Sequence, residues 1–335
     1  MDRSGKVFWT AKGGWVQAGV WILAILAGGV LQAQTEQVDP KLPDYEKVSG
    51  VSGNLVGIGS DTLNIMMDMW LKEFQKIYPT VTGAYRGEGS STAPPALIEG
   101  AAQLGPMSRA MKPEELDKFE KRFGYKPLQI VVAIDCLAVY VHKDNPIKGL
   151  TLPQVDAIFS STRKLGHSTD IRTWGEAGLT DPAWANLPIS LYGRNSVSGT
   201  YAFFKEHALG KGDFKDTVKE QPGSAGVIHG VANERAAIGY SGIGYRTADV
   251  RSVPLAKSAG GAFVEPTFEN TLKGQYPLAR SLYIYVNKKP NEPLPVLVAE
   301  FLKFVLSKQG QQIVVKDGFG PLPLKIIQRE RQKLQ

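Results

Sequence analysis

The chain has 335 residues, 43% of them hydrophobic and 21% charged, with a net charge of +7. That length suggests two domains or lobes, and the apolar share is enough to bury a substantial core. The basic excess is diffuse, with no basic run interleaved with aromatics, which argues against nucleic-acid binding, and one cysteine, Cys136, rules out an internal disulfide.

Arg3, Lys6 and Lys12 precede an apolar run over residues 16–30, and Leu31, Gln32 and Ala33 offer a small residue before Gln34. This is the pattern of a secretory signal, so residues 1–33 read as a signal peptide that is removed. A retained anchor is the rival. The run is only fifteen residues long and carries Gly19, Gly28 and Gly29, short of a membrane span. Removal takes away three bases and one acid and leaves +5. Cys136 is not placed to carry a lipid after such a signal. These features point to a soluble protein of the bacterial cell envelope, in the periplasm.

Residues 34–52 read as a polar, loosely held arm containing Pro40 and Pro43. A strand, a glycine turn and a helix follow, with Met66, Trp70, Phe74 and Ile77 on one helical face and Pro79 as the stop. Next come a strand, the loop "GEGSSTAPPALIEG" over residues 87–100, and a helix predicted over 96–103, with Pro94 and Pro95 suited to a first turn. "LGPMSRAMKPEEL" repeats the arrangement, with Pro113, Glu114 and Glu115 opening a helix. Residues 129–141 are nearly continuous apolar sequence, as in a strand buried on both faces, interrupted by Asp135. A second such run covers 279–287. Between them the pattern predicts helices at 151–159, 199–209 and 224–233 and strands at 188–192 and 236–241. Leu297, Phe301, Phe304 and Val305 mark a closing helix. Strands alternating with helices imply an α/β fold with largely parallel sheets. The two apolar runs would join one lobe built from both chain ends to another built from the middle.

Enzyme signatures are missing: there is no G-x-S-x-G, no H-E-x-x-H and no P-loop consensus. The four histidines, His142, His167, His207 and His229, are widely spaced, which makes a metal site or cofactor unexpected. "GIGSDT" lacks the third glycine of a dinucleotide fingerprint. What recurs is a run of short hydroxyl residues ahead of a predicted helix: Ser60-Asp61-Thr62, Ser90-Ser91-Thr92, Ser108-Arg109, and Ser196 to Thr200. Helix starts carry unsatisfied N–H groups and partial positive charge, a surface suited to a tetrahedral oxyanion. Each stretch taken alone reads first as an N-cap. Arg109 and Arg194 add planar donor forks beside two of the loops.

These motifs, with "GSDTL", "GPMSRAM", "GRNSVSGTYAFF", "AIGYSGIGY" and "KDGFGPLP" in this order, resemble the phosphate-binding proteins of ABC importers, among the type II two-lobed periplasmic solute receptors. The resemblance covers residues 51–323. It implies two lobes, each a mixed sheet flanked by helices, joined by a two-strand hinge. The first lobe would comprise 45–135 and 284–330, the second 136–283. It further implies a non-enzymatic receptor, a monomer that closes over inorganic phosphate and docks on a membrane permease. Carried over position by position, the phosphate contacts are Thr62 and the backbone of Leu63, Ser90, Arg194, Ser198, Gly199 and Thr200. Many members have a carboxylate where this chain has Ser108, followed by Arg109, and other members share the Ser-Arg pair. The missing acid leaves Asp61 as the candidate acceptor for the O–H of hydrogen phosphate, a bond that sulfate cannot make. Capping of its own helix is Asp61's alternative role, and Glu88 is a more distant substitute. Asp135 reads as structural and Cys136 as a small buried apolar residue. Residues 160–178 look longer than the family's turn. Receptors for sulfate or molybdate, a phosphate-ester hydrolase and a secreted phosphate scavenger are the competing functions.

Overall fold

A computed structural model of the protein describes residues 38–335; the predicted signal peptide, 1–33, lies outside them. The strand Gly53–Ile58 runs into the helix Asn64–Ile77, which returns the chain to a parallel neighbour, Val81–Arg86. Met66, Trp70 and Phe74 form the buried stripe of that helix as the spacing predicts, and Trp70 Nε1 donates to the carbonyl of Gly310 at 2.8 Å. The next helix is Ala93–Ile98, three residues earlier than the predicted start. Its first turn absorbs both prolines, whose missing N–H groups would be unpaired there in any case.

A single sheet then runs through the molecule in the order Gly105–Met107, Ala279–Val286, Leu128–His142, Ala237–Gly242, Ser190–Arg194, Lys219–Gln221. The expectation of largely parallel sheets is corrected. Every pair that includes Leu128–His142 or Ala279–Val286 is antiparallel. The pairs joined by a crossover helix stay parallel, as they must to close a βαβ unit. The second lobe's sheet is thus mixed, while the first lobe sets a separate parallel pair beside an antiparallel stretch of the main sheet.

Two cores divide at these long strands. One gathers Leu55, Trp70, Phe74, Ile130 to Ala133, Leu282, Phe301 and Ile327. The other gathers Cys136, Leu137, Phe159, Trp174, Phe204, Tyr240 and Leu278. The aromatic centre of the second is a stack of Phe204 on Tyr240, centroids 3.9 Å apart and 5° from parallel. The core changes from first to second between Ala133 and Cys136, and back between Leu278 and Leu282.

Two expectations need correction, and a third segment gains a place in the fold. The described part of the arm is held down: Leu42 is buried, and the Tyr45 ring packs edge-on against Phe304, its hydroxyl donating to Glu300 at 2.9 Å. An aromatic inside a polar stretch supplied the anchor. Helices Lys308–Lys316 and Leu324–Gln332 follow the predicted closing helix, Val296–Val305. The segment 160–178 is folded onto the second core: Ile171 and Trp174 are buried, and Lys215 Nζ donates to the carbonyls of Ala157 and Ile171.

Asp317 ends the helix Lys308–Lys316 and accepts from the Met66 N–H in the first turn of Asn64–Ile77. Burial raises its carboxyl to about 7, only partly offset by that hydrogen bond. A carboxyl whose proton is held more tightly in the folded state stabilises the fold below its unfolded value. That contribution is lost as pH rises through the folded one. Stability should therefore decline from about pH 4 to about pH 7, and Asp317→Asn should flatten the decline. Thermal unfolding at pH 5 and pH 8 checks this: the variant gains on the wild type at pH 8, and an equal difference at both values refutes the assignment.

Candidate functional site

Three strand ends of the first lobe are tied together before any side chain is considered. Gly59 N–H donates to Arg86 O, Gly89 N–H to Gly59 O and Ser60 N–H to Pro106 O, at 3.0, 2.7 and 2.8 Å. These bonds bring the loops at 59–62, 89–92 and 107–109 to one place. Ser60 Oγ caps the first turn by accepting from Thr62 N–H and donates to Ser108 Oγ at 2.9 Å. Ser90 Oγ accepts from Ser108 N–H at 3.0 Å, and the Ser90 and Ser108 hydroxyls stand 3.3 Å apart. Leu63 N–H turns back to Ser60 O at 3.2 Å. Ser60, Thr62, Ser90 and Ser108 are all buried.

The second lobe meets them from the opposite side. Ser198 Oγ accepts from the N–H groups of Thr200 and Tyr201, so it caps the helix Gly199–Ala208. Thr200 Oγ1 lies 3.0 Å from Thr62 Oγ1, and Ser91 N–H donates to Val197 O at 3.1 Å. Two glycines permit this approach. Gly89 has φ +114° and a Cβ there would stand 2.7 Å from Val197 O; a Cβ on Gly199 would stand 2.2 Å from Ser90 Oγ and 2.6 Å from Ser108 Oγ.

Arg194 is 1% exposed. It donates to Ser224 Oγ at 2.7 Å and Pro222 O at 2.9 Å, and its Nη1 is 3.3 Å from Asp61 Oδ2. Burial pulls its pKa below the ordinary arginine value, while the Asp61 carboxylate pulls it back up. Asp61 does not cap its own helix, because Ser60 already does so. Its Oδ2 instead accepts from Ser224 N–H at 2.7 Å, at the start of the helix Ser224–Asn233 in the other lobe.

Nine of the ten residues singled out by sequence therefore surround one interlobe contact: Asp61, Thr62, Leu63, Ser90, Ser108, Arg194, Ser198, Gly199 and Thr200. Arg109 is different. Its fork is engaged by Glu115, at 2.7 and 2.6 Å, with a further bond to Ser91 Oγ. Sequence reasoning missed Tyr245, whose hydroxyl donates to Asp61 O at 2.8 Å, and Ser224. It also missed Arg280, which donates to Thr200 Oγ1 and to Ser108 O at 3.0 Å each. A lone arginine heading one apolar run, and a lone Asp135 inside the other, was the available signal, since each buried charge requires a partner. Glu88 pairs loosely with Arg86 at the surface. Cys136 is buried, with Sγ 2.7 Å from Thr271 Oγ1. Among the described residues, no group of three or more His, Cys, Asp or Glu is arranged to hold a metal ion, and no helix is long and apolar enough to cross a membrane.

Two helix-flanked lobes, joined by strands and facing each other through donor-rich helix starts, define the class of two-lobed binding proteins. The chain belongs to the PBP superfamily domain family, which it matches over residues 46–309. It is 58% identical over 313 residues to the phosphate-binding protein PstS of Pseudomonas aeruginosa, an alignment covering 93% of this chain and 97% of that one. A structure from Clostridium perfringens solved with bound phosphate is similar at TM-score 0.68 and 26% identity, over 81% of this chain and all of that one. An ABC-type phosphate transport receptor from Vibrio cholerae shares the fold at TM-score 0.62 and 22% identity, over 80% of this chain and 100% of that one.

Gly199→Ala places a methyl group where the Ser90 and Ser108 hydroxyls stand, and should hold the lobes apart. Small-angle scattering in excess phosphate or sulfate should give the variant a larger radius of gyration than the wild type, at unchanged circular dichroism. Superimposable scattering curves would show that closure does not depend on this contact.

Proposed function

We propose that this protein is an exported, non-catalytic receptor that captures inorganic phosphate between its lobes and delivers it to an ABC permease. The carrying observation is the meeting of buried hydroxyls from both lobes, Thr62 against Thr200, together with the buried Arg194 paired across the lobes to Asp61, in a chain 58% identical to a named phosphate-binding protein. We place the first lobe at 45–135 and 284–330 and the second at 136–283, a division that lies close to the changes of core between Ala133 and Cys136 and between Leu278 and Leu282. The basic, then apolar N-terminus supports removal of residues 1–33 and release into the periplasm as a monomer.

In this reading Thr62, Ser90, Ser198 and Thr200 donate hydroxyls, the helix start at Gly199 supplies backbone N–H, and Leu63 N–H joins them by exchanging its 3.2 Å bond to Ser60 O for the anion. Ser108 completes the wall and Arg194 provides the charge. Arg109, held by Glu115, acts at one remove by fixing the Ser91 loop. Donors split between lobes are satisfied together only on closure, so the anion biases the open–closed equilibrium. A few charge-assisted bonds of roughly 1.5–3 kcal/mol each are sufficient for a micromolar complex at about −8 kcal/mol. We assign the O–H of hydrogen phosphate to Asp61 Oδ1, since Oδ2 is occupied by Ser224 N–H and Arg194. Sulfate has no proton to give this oxygen, whereas arsenate does.

Calorimetry of the ligand-stripped mature chain should show tight phosphate and arsenate binding with weaker sulfate and molybdate. Tight sulfate binding without phosphate binding refutes the ligand assignment. Arg194→Ala should lower phosphate affinity at least a hundredfold and Arg109→Ala by less than tenfold, and equal small losses would remove Arg194 from the site. Asp61→Asn should narrow the ratio of phosphate to sulfate affinity. If both affinities fall equally, Asp61 serves only to join the lobes.

A further inference from the structure

Arg280 lies on the return strand directly across from Asp135 on the long strand, at the point where the chain passes between the two cores. Both side chains are buried, 2% and 0% exposed, and joined through Nε and Nη2 to Asp135 Oδ2 at 2.8 and 2.7 Å. Asp135 Oδ1 accepts from Ile243 N–H at 3.1 Å, in the turn that follows the strand Ala237–Gly242. The remaining donors of Arg280 leave the hinge in two directions. Nη1 reaches Ser108 O in the first lobe, and Nη2 reaches Thr200 Oγ1 in the second.

The second of these bonds has a direction. A threonine hydroxyl has one proton and two lone pairs, and a guanidinium can only donate. Arg280 therefore occupies a lone pair of Thr200 Oγ1, and the O–H is left for the other side, where Thr62 Oγ1 stands 3.0 Å away. We infer that Arg280, braced by Asp135, is a positioning residue that makes Thr200 a donor into the interlobe site and ties that donor to the geometry of the hinge. The inference rests on the phosphate-receptor reading above and adds a specific residue to it. Arg280 itself acts through Thr200 rather than as one of the anion's principal contacts.

The test is a double-mutant cycle in phosphate calorimetry. Because Arg280→Met alone strands a buried carboxylate and can lose the fold, the hinge is altered with Arg280→Met and Asp135→Asn together, which removes both charges. This pair should lower phosphate affinity at least tenfold at unchanged circular dichroism, and Thr200→Val should do likewise. Combining all three should cost no more than about twofold beyond the larger loss, because the removed interaction is shared. Multiplied losses in the combination would overturn the route through Thr200. An affinity within twofold of wild type for the hinge pair would overturn any role for Arg280, and so would a hinge pair that lacks native circular dichroism while Arg280→Lys, folded, binds as wild type does. Wild-type chain that fails to bind phosphate in the same series would refute instead the reading on which the inference rests.

Discussion

Two buried guanidinium groups set the terms for the interlobe region. Removing a cation from water costs several kcal/mol, and the loss is recovered only when its hydrogen-bonding edge is met by well-placed acceptors. Neither Arg194 nor Arg280 finds those acceptors within one lobe. Arg194 uses Ser224 and Pro222 from its own side and Asp61 from the other. Arg280 uses Asp135 at the crossing, Ser108 on one side and Thr200 on the other. Contact between the lobes thus supplies the last acceptor of each charge, and without it Arg194 would lose Asp61 and Arg280 would lose Ser108 or Thr200.

Helix capping and anion recognition, opposed as alternatives at the level of sequence, are here divided among neighbouring residues. Ser60 and Ser198 cap their turns and so hold Thr62 and Thr200 in place. Ser90 caps nothing; its hydroxyl binds Ser108 N–H and stitches one loop to the next. Asp61 reaches past its own helix to the first N–H of another, which is how an acidic residue beside a hydroxyl loop becomes a contact between lobes. One short motif therefore performs three tasks, and residue type alone does not distribute them.

The helix stripe of Met66, Trp70 and Phe74, the two apolar hinge strands and the hydroxyl loops were legible because each depends on local periodicity or on the chemistry of helix ends. The antiparallel direction of the hinge pairs was not, since it follows from where the chain goes next rather than from the strand's own residues. The partner of Arg109 and the place of Arg280 were not legible for a related reason. Arginines near a donor-rich loop look alike in sequence, and only Glu115, six positions on from Arg109, and Asp135, far removed from Arg280, decide which fork is engaged and which faces Thr200. Tyr45 shows the same limit on a smaller scale: a single ring in a polar stretch is enough to pin it to the first core.

The first core contains Leu42 as well as Ile327 and Leu334, whereas the second is drawn from the uninterrupted stretch between Cys136 and Leu278. Synthesis from the N-terminus therefore completes the ingredients of the second core while the first still lacks its last helix. Until that helix emerges, Trp70, Phe74 and their neighbours have no full cover, and exposed surface of this kind is what favours aggregation and chaperone capture in a growing chain. The division into two cores therefore makes one of them wait for the other to be finished.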